Sequence, residues 1–562
     1  MPGRPGAWRV ASAKEYEYDH WSGFVGTNRE RIAHRQVRWC LPQQPFFVTK
    51  LLHCRLWSIV VQSALMVGME HLFGSLSTAQ LFCLLLALSL ALGFEFVNGF
   101  HDTANAVATV IYTHSLRPWI AVVWSGMWNL IGVLTSAGAV AFGIISLLPV
   151  ELVMNVGSAA GFAMVFSLLI SAIVWNLGTW YLGLPASSSH TLIGSIMGVG
   201  LMNSLMNSGS LLGGINWGKA KEVGLSLLIS PVVGFACTAI LFLLIKALVH
   251  KPELYCEPDP KKAPPLWIRG ILCITCTGVS YAHGSNDGQK GMGLLMLILV
   301  GIVPGMYALD LSIQADSIGQ LTEMSQSAAV ILEKHVSGLP LQKELADKTL
   351  GAYLKAGGAF SENVLTALAG ENAQIATALA HHKSLAEVPE NQRSQLRTTI
   401  YFTAETIGKL SKSHQLSDTE TGALTNYKTA LDKTTKFIPV WVKFAVAIAL
   451  GLGTMIGWKR IVVTVGEKIG KSHLTYAQGA SAEMVAMITI GLADRYGLPV
   501  STTHVLSSGV AGAMAANKSG LQMATLRNLL LAWVLTLPVC IFLGATFFAG
   551  GLLLISHAFG LR

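Results

Sequence analysis

Apolar residues fill long stretches of this chain, and polar residues interrupt them at a few fixed places. Leu81–Leu92, Ile120–Leu148, Gly161–Leu177, Leu225–Leu244 and Phe444–Ile456 are runs, or the cores of runs, near the roughly 20 residues that a helix needs to cross a bilayer. The pattern predicts membrane helices over 78–111, 119–148, 156–181, 223–248, 267–307, 437–457, 476–493 and 521–557, the last holding one or two spans around Pro538. A small-residue run behind residue 190 is too tightly joined to be a full span and reads as a re-entrant or broken helix. A β-barrel would show short segments of strict alternation instead. The expected fold is an all-α polytopic membrane protein with about 10–12 membrane segments.

The interruptions come in matched pairs. GFHDTANA covers 99–106 and GSNDGQKG covers 284–291, each placing an aspartate inside an apolar stretch. GLPASSSH covers 183–190 and GLPVSTTH covers 497–504. An Asp motif followed by a GLPxSxxH motif therefore occurs once per half, which predicts an internal repeat. Residues 69–248 form the first repeat, 249–266 a basic, Pro-rich linker, 267–309 the start of the second repeat and 437–562 its remainder. Between them, 310–436 is polar and helix-favouring and reads as a soluble helical insert. Residues 1–68 match neither repeat, and Met66 and Met69 are alternative starts, so this stretch is expected to be an over-extended gene start or a disordered leader.

Charge fixes a topology. Only 12% of the residues are charged and 52% are hydrophobic, against about 25% charged in soluble proteins. Lys246, Lys251, Lys261, Lys262 and Arg269 flank the linker, and Lys459, Arg460, Lys468 and Lys471 lie in the 458–473 loop. Positive residues collect on the cytoplasmic side. If each Asp-bearing stretch is a single broken span, both loops fall on that side, the insert falls on the opposite, periplasmic side, and the two halves are inverted. Inverted repeats with broken helices are a secondary-transporter plan, with substrate bound near the midplane. The net charge of +9 forms no basic face for nucleic acid. Cys273 and Cys276 form C-x-x-C inside an apolar segment and read as small buried hydrophobes.

A carboxylate at mid-membrane is costly and needs partners. The motifs offer His101 and Asn105 to Asp102, and Asn286 and Lys290 to Asp287. The expectation is a cation or proton site, with Asp102 and Asp287 as ligands if a metal cation binds. In GLPxSxxH, Gly and Pro end one helix and start another. Ser187, Ser188 and Ser189, and Ser501, Thr502 and Thr503, then lie at helix N-termini, where free N–H groups and hydroxyls suit a tetrahedral oxyanion. Carboxylates repel such an anion unless cations intervene, so the two sites together imply cation-coupled anion symport. His190 and His504 follow the hydroxyls as accessory residues that cap or pack. There is no G-x-S-x-G elbow and no G-x-x-x-x-G-K-[ST] phosphate loop, which argues against a hydrolase or an ATP-driven pump.

These motifs, with the longer runs NGFHDTANAVATVIYT, WNLGTWYLGLPASSSHTLIG, HGSNDGQKG, GTMIGW, GEKIGK and GLPVSTTHVLSS, resemble the inorganic phosphate transporter (PiT) family and its bacterial low-affinity branch. The resemblance covers nearly all of 69–557. It implies inverted repeats, and symport of phosphate with a cation across a bacterial inner membrane. For this branch it implies uptake of a divalent metal–phosphate complex driven by protons; other members use sodium. By motif it places phosphate at Ser187, Ser188, Ser189, Ser501, Thr502 and Thr503, and the cation at Asp102, Asn105, Asn286 and Asp287. Lys290 stands where the common motif has Asn, which favours protons over sodium and adds a charge that could hold phosphate. No cofactor is expected, and homo-oligomer formation is left open. Alternatives are a sodium-coupled phosphate permease or a sulfate or other oxyanion permease of the same fold, and a membrane phosphate sensor with the insert as its output.

Overall fold

A computed structural model describes residues 76–148, 158–208, 215–259, 262–336, 341–355, 358–413 and 415–559. The leader at 1–68 lies outside the described residues. Among the described residues every regular element is helical, with one isolated bridge between Gly470 and Leu521.

The first half contains α1 (Thr78–Tyr112), α2 (Pro118–Thr135), α3 (Ala139–Ile145), α4 (Ala159–Tyr181), α5 (Ser188–Ser208) and α6 (Trp217–Leu248). Local chemistry sets their starts. Ser77 and Gln80 form a reciprocal capping box on α1, Pro118 occupies the first turn of α2, and Ser158 and Asn216 cap α4 and α6. The second half begins with α7 (Leu266–Ile302) and α8 (Pro304–Tyr307). It resumes with α14 (Val440–Met455), α15 (Lys459–Glu467), α16 (Tyr476–Arg495), α17 (Thr502–Ala516) and α18 (Met523–Phe559). Between them lie α9 (Ala315–Glu333), α10 (Lys343–Leu354), α11 (Glu362–His381), α12 (Glu390–Leu410) and α13 (Asp418–Thr435). These five helices share their own apolar cluster, which includes Leu332, Leu350, Leu368, Ile400 and Leu431.

Among the described residues five helices are long and apolar enough to cross a membrane by length and composition: Thr78–Tyr112, Pro118–Thr135, Ala159–Tyr181, Trp217–Leu248 and Met523–Ile555. A sixth arises if Asp418–Thr435 and Val440–Met455, bent by 72°, are one span. This is below the 10–12 segments expected. The reason is local: α14 and α17 have 16 and 15 residues, and the apolar character of α7 is diluted by its central polar run. α6 and α18 carry large exposed apolar side chains, such as Leu228, Val232, Val534 and Phe542, as a lipid-facing surface would.

Two local expectations change, and one left open at Pro538 is decided. The Asp motifs do not break their helices: α1 runs unbroken through Asp102, and α7 through Asp287. Their glycines serve close packing instead. A Cβ on Gly99 would overlap the Leu450 carbonyl of α14, and one on Gly453 of α14 would overlap the Phe96 carbonyl of α1. Gly284 meets the Asn129 carbonyl of α2 in the same way, and Gly132 of α2 meets the Tyr281 carbonyl of α7. The stretch at 119–148 is two helices, because Ser136 is extended and Gly138 takes φ 88°, a left-handed conformation open to glycine. Conversely, α18 passes through Pro538 as one helix.

The long helices pack across the halves. α1 lies on α14, and α7 on α2; α5 lies on α18, and α17 on α6. α1 and α7 also pack on each other, which brings the two Asp motifs together.

Candidate functional site

Each GLP turn is built by the same device. α4 ends in a Schellman turn: Gly183 takes φ 67°, its N–H donates to the Trp180 carbonyl, and the Leu184 N–H donates to the Thr179 carbonyl. α16 ends likewise: Gly497 takes φ 65°, donating to the Asp494 carbonyl, and Leu498 donates to that of Ala493. After each turn a serine caps the next helix. The His190 N–H donates to Ser187 Oγ at 3.2 Å, and the His504 N–H donates to Ser501 Oγ at 3.1 Å. α5 and α17 therefore start where the motif predicts, and their first N–H groups have no acceptor within the helix.

The two starts face one another. Ser189 Oγ donates to the Val500 carbonyl at 2.8 Å. The rings of His190 and His504 stack at 4.6 Å between centroids, and His504 stacks on Trp533 at 4.2 Å. The two histidine rings pack on each other. Thr502, the first residue of α17, is buried beside them.

The expected cation half and anion half form one cluster. Ser188 Oγ lies 3.1 Å from Asp102 Oδ2 and 3.3 Å from Asp287 Oδ2. One hydroxyl proton serves one carboxylate at a time. Thr503 Oγ1 donates to Asp102 Oδ1. Lys290 Nζ lies 2.7 Å from Asp287 Oδ2 and donates to Ser188 Oγ at 3.2 Å. Lys290 is thus placed against the carboxylate of its own helix. Asp287 Oδ1 is buried and has no hydrogen-bond partner among the described residues. The neighbouring motif residues hold the turns: Asn286 Nδ2 donates to the Leu498 carbonyl at 3.2 Å, and His101 Nε2 lies 3.1 Å from Thr179 Oγ1. The side chain of Asn105 lies outside the described residues.

His283 is the residue that sequence reasoning missed. Its Nε2 lies 3.4 Å from Asp287 Oδ2 and 3.8 Å from Asp102 Oδ2. Hydrogen bonds behind it fix its tautomer. The Thr454 hydroxyl donates to the Leu450 carbonyl at 2.9 Å, so it accepts from Asn129 Nδ2 at 3.2 Å. Asn129 then presents Oδ1 to His283 Nδ1 at 2.8 Å, and Nδ1 must be the donor. Nε2 can therefore donate to the carboxylates only by carrying a second proton. With the imidazole neutral the cluster of two carboxylates and one ammonium has one net negative charge; with it protonated the cluster is neutral. Asp102, His283 and Asp287 each offer a ligand atom, all within 4.8 Å of one another, which suits a small cation as cargo or coupling ion. The spacing of His283 four residues before Asp287 was the available signal, since it puts both on one helix face.

Three other carboxylates were also missed, half-buried Asp494 and buried Glu483 and Glu95. Asp494 accepts from Ser285 Oγ at 2.7 Å and Gln289 Nε2 at 2.6 Å, tying the second Asp motif to the end of α16. Glu483 accepts from Thr275 at 2.5 Å. Glu95, two helical turns before Asp102, is buried with Oε1 unpartnered among the described residues.

Residues 98–544 match the phosphate transporter family. The low-affinity inorganic phosphate transporter PitA of Escherichia coli (strain K12) is 42% identical over 508 residues, covering 87% of this chain and 100% of that protein. PitB of the same strain is 42% identical over 491 residues, covering 84% and 98%. The probable low-affinity inorganic phosphate transporter of Bacillus subtilis (strain 168) is 26% identical over 456 residues, covering 81% and 93%. A solved structure titled the sodium-dependent phosphate transporter covers 84% of this chain and 98% of its own at 20% identity, with a TM-score of 0.47. At that distance the likeness says nothing about the coupling ion.

Proposed function

This chain belongs to the phosphate transporter family, whose curated relatives are transporters rather than enzymes, and on that premise we propose that it takes up inorganic phosphate by cation-coupled symport across a bacterial inner membrane. The observation that carries the reading is Ser188, a hydroxyl at the start of α5 that touches both Asp102 and Asp287. An anion seated at the starts of α5 and α17 lies within reach of the carboxylates, so it enters only with positive charge beside it. Ser187, Ser188, Ser189, Ser501, Thr502 and Thr503 with the nearby N–H groups hold the phosphate oxygens. Asp102 and Asp287 hold the coupling cation or the metal of a divalent metal–phosphate complex.

The proton is the favoured coupling ion. His283 Nε2 faces two carboxylates and has its other nitrogen committed to Asn129. The Lys290 ammonium beside Asp287 repels a bare cation such as sodium more than a metal that arrives neutralised by phosphate. The loaded site then approaches neutrality, which lowers the cost of carrying it through the low-dielectric core.

The halves work as an inverted repeat by alternating access. Reciprocal packing of α1 on α14 and α7 on α2, with matched glycines at both crossings, supports this. The broken elements are the GLP turns rather than the Asp helices. Residues 310–436 form a soluble insert on the periplasmic side.

The test is radiolabelled phosphate uptake into proteoliposomes with separate proton, sodium and Mg²⁺ gradients. Uptake should follow the proton gradient and be stimulated by Mg²⁺. Uptake indifferent to all three would refute cation coupling. Equal competition by sulfate would replace the reading with a broader oxyanion permease.

A further inference from the structure

A second cavity, of about 600 Å³, lies behind the turn that carries Ser187. Its wall includes Leu182 and Gly183, the entry to GLPASSSH. Among the described residues its lining holds three exposed cations, Lys459, Arg460 and Lys468, and no carboxylate. Two indoles, Trp180 and Trp458, and the Tyr181 ring complete most of the rest.

Arg460 is set in place. Its Nη1 donates to the Tyr181 carbonyl at 2.9 Å. Its guanidinium carbon lies 5.3 Å from the centroid of the Trp180 ring and 5.1 Å from that of Tyr181. One of the five guanidinium N–H donors is thereby used, which leaves four for contact with an oxyanion.

Contacts tie the cavity lining to the elements that carry the central site. Thr464 Oγ1 donates to the Gly183 carbonyl at 2.8 Å, and Trp180 Nε1 donates to the Gly457 carbonyl at 2.8 Å. The Trp180 ring packs on Phe100, two residues before Asp102, at 5.1 Å between centroids. The central cluster has two carboxylates against one ammonium, so at longer range it repels an incoming anion unless His283 is protonated. A cationic cavity sharing the turn opposes that repulsion and raises the local anion concentration.

We propose that this cavity is a peripheral oxyanion subsite, which holds inorganic phosphate beside the GLPASSSH turn on its way into or out of the central site. The inference rests on the phosphate-transport reading above. Its chemistry, a guanidinium held against two aromatic rings with two ammonium groups in the same lining, would equally take the headgroup of an anionic phospholipid, and the test separates the two sources.

The full chain is reconstituted with Arg460→Gln, Arg460→Lys or Lys468→Gln, and KM and the maximal rate for phosphate are measured in both directions of transport. Arg460→Gln should raise KM about three- to tenfold in one direction, with the maximal rate changed by less than about twofold. Lys468→Gln should give a smaller rise of the same kind, and Arg460→Lys should recover part of the loss. The differences should shrink at high ionic strength, because exposed charges are screened. An unchanged KM in both directions for both glutamine variants would overturn the proposal. So would a fall in maximal rate at constant KM, which marks a purely structural role. The series is repeated in vesicles of neutral lipid and in vesicles containing anionic phospholipid. An effect seen only with anionic lipid identifies the occupant as a headgroup and also overturns the proposal. Absence of phosphate uptake by the unsubstituted chain is a separate result, which would refute the transport reading itself.

Discussion

Four residues before its aspartate α1 has Asn98, while α7 has His283; one residue before, His101 corresponds to Asn286; three after, Asn105 corresponds to Lys290. The backbones around these positions are matched. Gly99 lets α14 approach α1, and Gly284 lets α2 approach α7, through the same carbonyl-to-glycine contact. The polar chemistry is not matched. Both groups that bring positive charge to the carboxylates, His283 and Lys290, come from α7. α1 supplies Asp102, and turns its own histidine away to Thr179 at the foot of α4. The comparison teaches that the two helix crossings match in their glycine contacts, while both basic side chains beside the carboxylates come from one helix.

The comparison breaks most sharply at the aspartates. Asp102→Asn and Asp287→Asn should each lower phosphate uptake by more than about a hundredfold, because each removes an interaction of a buried charge. They should differ in stability. Asp287→Asn leaves the Lys290 ammonium buried without its carboxylate and should destabilise the protein by about 3–5 kcal/mol. Asp102→Asn should cost clearly less. Thermal unfolding in detergent checks this, and equal losses would mean that Lys290 does not depend on Asp287. Adding Lys290→Met to Asp287→Asn should restore stability and leave transport absent.

The scaffold should respond symmetrically. Gly99→Ala and Gly284→Ala each drive a methyl group into a neighbouring backbone and should destabilise by about 1–3 kcal/mol. A large difference between the two, read as folded yield and unfolding temperature, would show that the crossings are not equivalent.

His283→Asn makes α7 resemble α1 at this position. Net uptake driven by a proton gradient should fall about tenfold, whereas phosphate–phosphate exchange, which needs no net proton movement, should be retained. Loss of both in equal measure would assign His283 a structural role.

The smallest effect lies in the intervening helices, which provide a second lysine–carboxylate pair for contrast. Lys343 Nζ is 2.6 Å from Glu371, whose side chain is fully buried while that of the lysine is 26% exposed. Burial pushes the Glu371 carboxyl above its ordinary range despite Lys343. A carboxyl raised in the folded state stabilises below its unfolded value and loses that contribution as pH rises through the folded one. Lys343 also lies 3.3 Å from Asp347 and donates to Thr399, so Lys343→Met should cost less at pH 4 than at pH 7, where it destabilises by about 1–2 kcal/mol, less than loss of the fully buried Asp287 partner. A flat profile between those pH values would show that Glu371 does not depend on Lys343.

The legible parts of the site were those written within one segment. Gly183 and Gly497 end helices, and Ser187 and Ser501 cap the next, because each device needs only neighbours in sequence. Asp102 and Asp287 stood out because a carboxylate in an apolar run needs a reason. The relay Thr454–Asn129–His283 was not legible: it joins α14, α2 and α7, and its side-chain contacts span 325 and 154 residues of sequence. The unbroken course of α1 and α7 was hidden for a related reason. A polar run resembles a break until the groups that satisfy it, here Ser188, Thr503 and Lys290, are known.

One feature of the second half bears on how such a chain can change over time. The Asp310 N–H donates to the Thr434 carbonyl at 2.8 Å, and Arg397 Nη1 reaches the carbonyls of Ala308 and Thr435 at 2.9 Å each. The chain thus leaves α8 and returns towards α14 through a doorway one hydrogen bond wide. Lengthening a loop whose ends are already joined adds little closure entropy. For the helices on either side, the five between are a side branch, and lineages could enlarge, trim or exchange them without rerouting the path on which the carboxylates depend.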